Sequence, residues 1–215
     1  MPVPASQTPE PKDTARLEAF SDGVFAIAIT LLILEIRVPA LPPGGGNGRL
    51  WSALLALWPS LLAFTLSFFV ILLMWVNHHE LIRLVRAVDY PLLFANGFLL
   101  LLVTFVPFPT AVLARYLGTS AANAAAAFYC GTFLVGSLAW GVLKPTIARS
   151  RRLVRSDVPD ALLERVRKAY VVGPLVYAAS VVVALWSAPA GLALCTSLWI
   201  LWVRLRYRSG QRPLT

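Results

Sequence analysis

The sequence predicts an all-α integral membrane protein with six transmembrane helices and both termini in the cytoplasm. The chain has 215 residues, of which 58% are hydrophobic and only 13% are charged. A soluble domain is instead about 45–50% apolar and about 25% charged. The apolar residues form long runs, and a bilayer core about 30 Å thick requires about 20 such residues in each helix.

Four apolar runs each predict one crossing, and a fifth run, 170–203, is long enough for two. The fifth run contains Ser187-Ala188-Pro189-Ala190-Gly191, a turn signal that divides it into two short helices. The predicted spans are 17–38, 50–76, 90–114, 121–143, 170–187 and 191–203.

These spans predict one six-helix transmembrane domain over residues 16–208. Residues 1–15 are polar and lack the basic and apolar segments of a signal peptide, so we expect a disordered cytoplasmic leader. Residues 209–215 are expected to be a cytoplasmic tail.

The distribution of lysine and arginine predicts the orientation. With both termini inside, only Arg37, Arg49 and Arg115 of the 19 Lys and Arg residues lie outside. Cytoplasmic loops are enriched in positive charge, so we expect a multi-pass protein of the cell inner (plasma) membrane, surrounded by its lipids. Because the basic residues lie between hydrophobic spans, the net charge of +9 favours this topology over nucleic-acid binding.

Helical geometry divides the first span into two faces. Asp22 lies inside the apolar run, where a carboxylate must be paired, hydrated or neutral. At about 100° per residue, Asp22 lies about 140° from Ile27. The stripe centred on Ile27 contains Gly23, Leu31 and Leu34, with Thr30 on its flank. We therefore expect Asp22 to contact a neighbouring span.

Candidate partners for Asp22 lie at the same membrane depth in the second and third spans. We expect a polar network that includes Arg16, Ser21, Asp22, one of His78 and His79, and Asn96. The alternative for the two histidines is an ordinary interfacial pair exposed to water. A zinc site is disfavoured because adjacent histidines point in different directions on a helix and no cysteine or further histidine is nearby, so we predict no metal.

The string Arg16-x-x-x-Phe20-Ser21-Asp22, followed by a helix rich in Ile, Leu and Thr, resembles the signature of the transmembrane protein 175 family of potassium channels. The resemblance is close over the first helix and extends through Trp75 and the two histidines that end the second span. With a single six-helix set, the chain resembles the prokaryotic single-repeat members.

The resemblance implies a pore lined by the first helix, without the Thr-Val-Gly-Tyr-Gly filter of ordinary potassium channels. Ile27 corresponds to the narrowest constriction, Leu31 and Leu34 continue the apolar lining, and Thr30 corresponds to the threonine linked to ion selection. Four first helices are needed around such a pore, which implies a homotetramer that conducts K⁺ without a cofactor.

The signature residues have a structural role in this resemblance. The positions Arg16, Phe20, Ser21 and Asp22 would hold the helix bundle together, with Trp75, His78, His79 and Asn96 as their partners in the polar network.

Three other functions fit the residues less well than a channel does. Asp22, His78 and His79 could relay protons in a proton channel or a proton-coupled transporter, since histidine titrates near neutral pH. A membrane enzyme would have to use His78, His79, Glu80 and Asp89, but no nucleophile with a placed base accompanies them, so we predict no enzyme and no catalytic residues. A purely structural protein would not explain the Phe20-Ser21-Asp22 string.

Overall fold

The computed structural model describes residues 11–168 and 172–209, which are organised almost entirely as helices. A short 3₁₀ turn, Leu32–Glu35, continues the first helix. The helices are α1 (Pro11–Leu31), α2 (Asn47–Leu55), α3 (Trp58–Ile82), α4 (Tyr90–Phe105), α5 (Pro107–Tyr116), α6 (Ala122–Arg149), α7 (Asp160–Lys168), α8 (Val172–Trp186) and α9 (Ala188–Ser209). The predicted all-α membrane class is confirmed.

Four helical stretches are long and apolar enough to cross a bilayer. They are Asp13–Glu35, Trp58–Ile82, Tyr90–Tyr116 and Ala122–Arg149. Two further apolar stretches, Val172–Trp186 and Ala188–Leu198, occupy the place of the last two predicted spans. The count of six crossings remains a prediction, because α8 has 15 residues, fewer than an ordinary transmembrane helix.

The helices extend past the predicted apolar runs at both ends of the described chain. α1 begins at Pro11, so 11–15 are helical where a disordered leader was predicted, and 1–10 lie outside the described residues. α9 continues to Ser209, beyond the predicted end at 203. Residues 170–171 and 210–215 of the predicted span and tail also lie outside the described residues. Hydropathy marks the apolar part of a helix, whereas backbone hydrogen bonding continues into its polar ends.

Prolines and short turns divide the predicted spans in ways that hydropathy does not reveal. The second run separates into α2 and α3, with Pro59 in the first turn of α3. The third run separates at Val106, directly before Pro107. Proline has no backbone N–H and therefore favours the first turn of a helix. The break between α8 and α9 is confined to Ser187, so the predicted turn residues Pro189–Gly191 are helical instead.

α6 is the central helix of the bundle and contacts α4, α5, α8 and α9. Of the 18 residues in its apolar stretch, 56% are buried. The corresponding values are 28% for Asp13–Glu35, 22% for Trp58–Ile82 and 39% for Tyr90–Tyr116. Its small residues Ala125, Ala126 and Ala127 are buried in the hydrophobic core. Small residues allow helices to approach closely in a membrane, where packing replaces the hydrophobic effect as the source of stability.

A buried group of hydroxyls joins α3, α5 and α6. The Ser67 Oγ lies 2.6 Å from the Thr110 Oγ1 and 3.0 Å from the Tyr129 hydroxyl. Thr110 also donates to the carbonyl of Val106 at 2.8 Å. Since hydrocarbon offers no hydrogen bonds, these contacts satisfy groups that would otherwise be costly to bury.

The two polar loops at the Arg16 end of the bundle pair with each other. The Arg86 N–H donates to the Leu153 carbonyl at 2.7 Å, and the Arg155 N–H donates to the Leu84 carbonyl at 3.0 Å. In this exposed loop, the hydrogen bonds from the Arg155 guanidinium hold the pKa of the Asp157 carboxyl below its usual value. The loop continues into α7.

Asn123 and Gly191 fix the tight turn between α8 and α9. The Asn123 side chain accepts from the Ala188 N–H at 2.9 Å and donates to the Leu185 carbonyl at 3.3 Å. A Cβ added at Gly191 would lie 2.6 Å from the Ala184 Cα and 2.8 Å from the Ala184 N. The absence of a side chain at Gly191 therefore permits the close approach of α9 to α8.

Gly191→Ala should destabilise the protein by about 1–3 kcal/mol, because the added methyl overlaps the backbone of α8. The measurement is thermal unfolding of the purified protein in detergent. Gly136→Ala is the matched control, because Gly136 lies inside α6 with open space around a built Cβ. Equal unfolding temperatures for the two variants would contradict the steric role of Gly191.

Candidate functional site

α1 has one buried face and one exposed face. Leu17, Ser21, Phe25, Ala28 and Leu32 are buried, at the spacing of three and four residues that defines one side of a helix. This side packs against α3 and α4. The opposite side of α1 is exposed in the described part of the single chain.

The exposed face carries the apolar stripe that the sequence predicts. Ile27, Leu31 and Leu34 are 60%, 43% and 67% exposed. The 3₁₀ turn keeps Leu34 in line with Leu31, because residues three apart eclipse one another in that conformation. The helix therefore presents large aliphatic side chains on the side that its own bundle leaves uncovered.

Thr30 lies beside this stripe and is also exposed. Its hydroxyl donates to the Ile27 carbonyl at 2.9 Å. Because the hydroxyl proton is used within the helix, the lone pairs of the oxygen remain as the part of the side chain that can contact a cation.

The buried face of α1 is held by a three-helix hydrogen-bond network centred on Asn96. The Asn96 Nδ2 donates to the Ser21 Oγ at 3.0 Å, and its Oδ1 lies 2.7 Å from the His78 Nε2. Because an amide oxygen only accepts, the His78 Nε2 carries the proton in this arrangement. Ser21 in turn donates to the Leu17 carbonyl at 2.8 Å. All three polar side chains are at most 1% exposed.

A second set of polar contacts joins α1 to α3 closer to the surface. The Trp75 Nε1 donates to the Asp22 Oδ1 at 2.8 Å. The His79 Nδ1 lies 3.1 Å from the Glu18 Oε1. The structure thus separates the two histidines, with His78 inside the bundle and His79 half-exposed against α1.

Most of the residues predicted for the polar network come together, but Arg16 and Phe20 lie outside it in the single chain. Both are exposed and line a surface cleft with Asp89 and Tyr90. The reason is helical spacing: Arg16 and Phe20 lie on the same side of α1 as Ile27, opposite Ser21. Glu18 takes part instead, and its spacing of four residues from Asp22 was the signal that could have revealed it.

Two of the four residues considered for an enzyme, Asp89 and Glu80, have partners outside that set. Asp89 caps α4 by accepting from the Leu92 N–H at 2.9 Å. Glu80 lies 3.9 Å from the Arg83 guanidinium on the same helix.

Glu18, Asp22 and His79 are the group in the described part of the chain whose donor atoms could hold a metal ion. One candidate ligand atom from each side chain lies within 4.8 Å of the others. The sequence analysis predicts no metal, and it misses this group because the two carboxylates lie on α1 and the imidazole on α3.

Comparison with known proteins places this geometry in a family. The family model described as "Endosomal/lysosomal potassium channel TMEM175" matches residues 16–107. A potassium channel of Chamaesiphon minutus is 45% identical over 194 residues, which cover 90% of this chain and 95% of that protein. The human endosomal/lysosomal proton channel TMEM175 is 44% identical over 82 residues, covering 36% of this chain and 16% of the human protein.

A solved structure is similar over nearly the whole chain. The crystal structure of a lysosomal potassium-selective channel TMEM175 homolog from Chamaesiphon minutus superposes with a TM-score of 0.79 at 44% identity. The match covers 91% of this chain and 98% of that one. The resemblance predicted from the Arg16 to Asp22 string is confirmed. The chain belongs to the TMEM175 family, among its prokaryotic members.

Proposed function

We propose that this protein is a channel that conducts K⁺ passively through a pore lined by α1. The observation that carries the proposal is the uncovered stripe of Ile27, Leu31 and Leu34 on a helix whose opposite face is firmly anchored. The similarity to a potassium channel over 90% of the chain supports K⁺ as the permeant ion.

The proposed assembly is a homotetramer that spans the plasma membrane. Both termini of each chain are proposed to lie in the cytoplasm. A single α1 cannot enclose a pore, whereas a closed ring of four copies would place four stripes around one axis. Closed cyclic symmetry is the usual arrangement of homo-oligomers. The concentration of Lys and Arg at the Arg16 end supports the orientation.

The proposed gate is a ring of Ile27 side chains, continued by rings of Leu31 and Leu34. A narrow apolar constriction excludes hydrated ions because water does not fill it stably. A small outward movement or rotation of α1 would widen the ring. Exposed Thr30 hydroxyls could then replace part of the hydration shell of K⁺.

The polar network is proposed to position α1 rather than to contact the ion. Ser21, Asp22, Trp75, His78 and Asn96 lie behind the stripe and join α1 to α3 and α4. The network would keep Ile27 directed toward the pore axis. Arg16 and Phe20 are proposed to contact a neighbouring copy, since both are exposed beside the stripe.

Proton permeation is the second candidate function. It is favoured by the 44% identity between this chain and part of the human protein, which is named a proton channel. A relay would use Asp22, His78 and His79, but none of the three lies on the stripe. Asp22 contacts Trp75 on α3, His78 contacts Asn96 on α4, and His79 contacts Glu18 on α1.

Opposed ion gradients test the proposed function and separate it from proton permeation. Purified protein in liposomes should give a reversal potential close to that of K⁺ when K⁺, Na⁺ and H⁺ gradients are set independently. The mass of the complex should be four times the 23.5 kDa of the chain. A reversal potential that follows the H⁺ gradient would identify the second candidate instead.

Substitutions at Ile27 test the gate. Ile27→Asn should raise K⁺ flux, because a polar ring hydrates the constriction, and Ile27→Trp should lower it by narrowing the pore. The readout is K⁺ flux in liposomes. Leu101→Asn on α4, also an exposed apolar position, is the control and should leave flux unchanged. Wild-type flux in both Ile27 variants would rule out the gate.

Thr30→Val tests the selectivity role with an isosteric change that removes the hydroxyl oxygen. The reversal potential under opposed K⁺ and Na⁺ gradients should move toward zero. Thr104→Val is the matched control, because the Thr104 hydroxyl is exposed on α4 and donates to the Leu101 carbonyl at 2.8 Å. If both variants retain wild-type selectivity, Thr30 has no part in it.

A further inference from the structure

Glu18, Asp22 and His79 form a compact set of mixed nitrogen and oxygen donors beside the polar network. Glu18 and Asp22 are four residues apart and therefore share one side of α1. His79 reaches them from α3, and one donor atom from each residue lies within 4.8 Å of the others. The set bridges α1 and α3, which the Trp75–Asp22 hydrogen bond also joins.

The His79 imidazole is directed toward the carboxylates without being satisfied by them. The Nδ1 atom lies 3.1 Å from the Glu18 Oε1. This is an ion-pair contact and not a hydrogen bond, so the Nδ1 atom, which is inaccessible to solvent, has no hydrogen-bond partner in the described part of the chain. A buried polar atom without a partner is rare in folded proteins and points to a missing ligand.

Neighbouring contacts orient the donors of the set. Trp75 donates a hydrogen bond to one oxygen of Asp22 at 2.8 Å. Carboxylates that bind metals are usually oriented by a hydrogen bond of this kind from a neighbouring side chain. The indole of Trp75 also lies against the His79 ring, with centroids 5.8 Å apart. The side chains of His79 and Glu18 are 36% and 32% exposed, so the set lies near the surface of the bundle, although the His79 Nδ1 atom itself is shielded from solvent.

We propose that Glu18, Asp22 and His79 bind a divalent transition-metal ion of the Zn²⁺ type. Imidazole nitrogen favours such ions over Mg²⁺, Ca²⁺ or K⁺, which prefer oxygen ligands. Three protein ligands leave one tetrahedral position for water or a fourth donor. A divalent cation also balances the two carboxylates, which would otherwise repel each other close to the membrane.

The bound ion would join α1 to α3 and restrain α1. If α1 moves during opening, as the proposed function requires, occupancy of the site should reduce K⁺ flux. This consequence rests on the proposed channel function, whereas binding of the metal does not. The two are therefore measured separately.

The test is calorimetric titration of Zn²⁺ into the purified full-length protein, free of any polyhistidine tag. We expect one ion per chain, with affinity reduced at least tenfold in His79→Gln and in Glu18→Gln. Glu80→Gln is the matched control, since Glu80 adjoins His79 in sequence but lies outside the set. Thermal unfolding without metal shows whether each variant is folded.

Substitution with Co²⁺ gives a direct signature of ligation. Visible absorption bands of coordinated Co²⁺ should appear in the wild type and in Glu80→Gln, and weaken in the two site variants. The proposal is overturned if Zn²⁺ does not bind, or if His79→Gln and Glu18→Gln bind it as tightly as the wild type does.

Flux in liposomes with and without Zn²⁺ then tests the consequence. Inhibition in the wild type that is lost in Glu18→Gln supports restraint of α1 by the ion. If Zn²⁺ binds at the site but does not inhibit flux, the metal site is supported and the proposed restraint of α1 is contradicted. Absence of any K⁺ flux would instead contradict the proposed function, and the binding data would still decide the site.

Discussion

The Asn96 amide joins three helices where no water can replace it, and the orientation of α1 depends on this contact. Asn96 lies on α4, donates a hydrogen bond to Ser21 on α1 and accepts one from His78 on α3. Leaving any of these groups unpaired would cost about 1–3 kcal/mol. A rotation of α1 large enough to break the contact would therefore carry this cost.

Fixing the rotation of α1 determines what the other side of the helix presents. Once Ser21 and Phe25 face the bundle, helical geometry directs Ile27, Leu31 and Leu34 outward. The same geometry places Arg16 and Phe20 on the outward side, which explains why they do not join the network. One buried amide thus indirectly positions an apolar stripe that is two turns away along the helix.

The apolar runs and the periodicity of the first helix were predictable from the sequence, because hydropathy and 3.6-residue spacing are local properties. They predicted the membrane class, the apolar stripe around Ile27 and the contact of Asp22 with a neighbouring helix. Pro59 and Pro107 could have indicated the breaks before α3 and α5. Hydropathy averages over such breaks, so each predicted span was read as one continuous helix.

The amino-acid sequence by itself determined that the chain enters a membrane, how its charges are distributed and which α1 residues share a face. The tertiary structure decided the partners across helices: His78 with Asn96, Trp75 with Asp22, and His79 with Glu18. The physical reason is that periodicity specifies the direction of a side chain about its own axis. The contact it makes depends on the rotation and depth of the neighbouring helix, which are set by packing of the whole bundle.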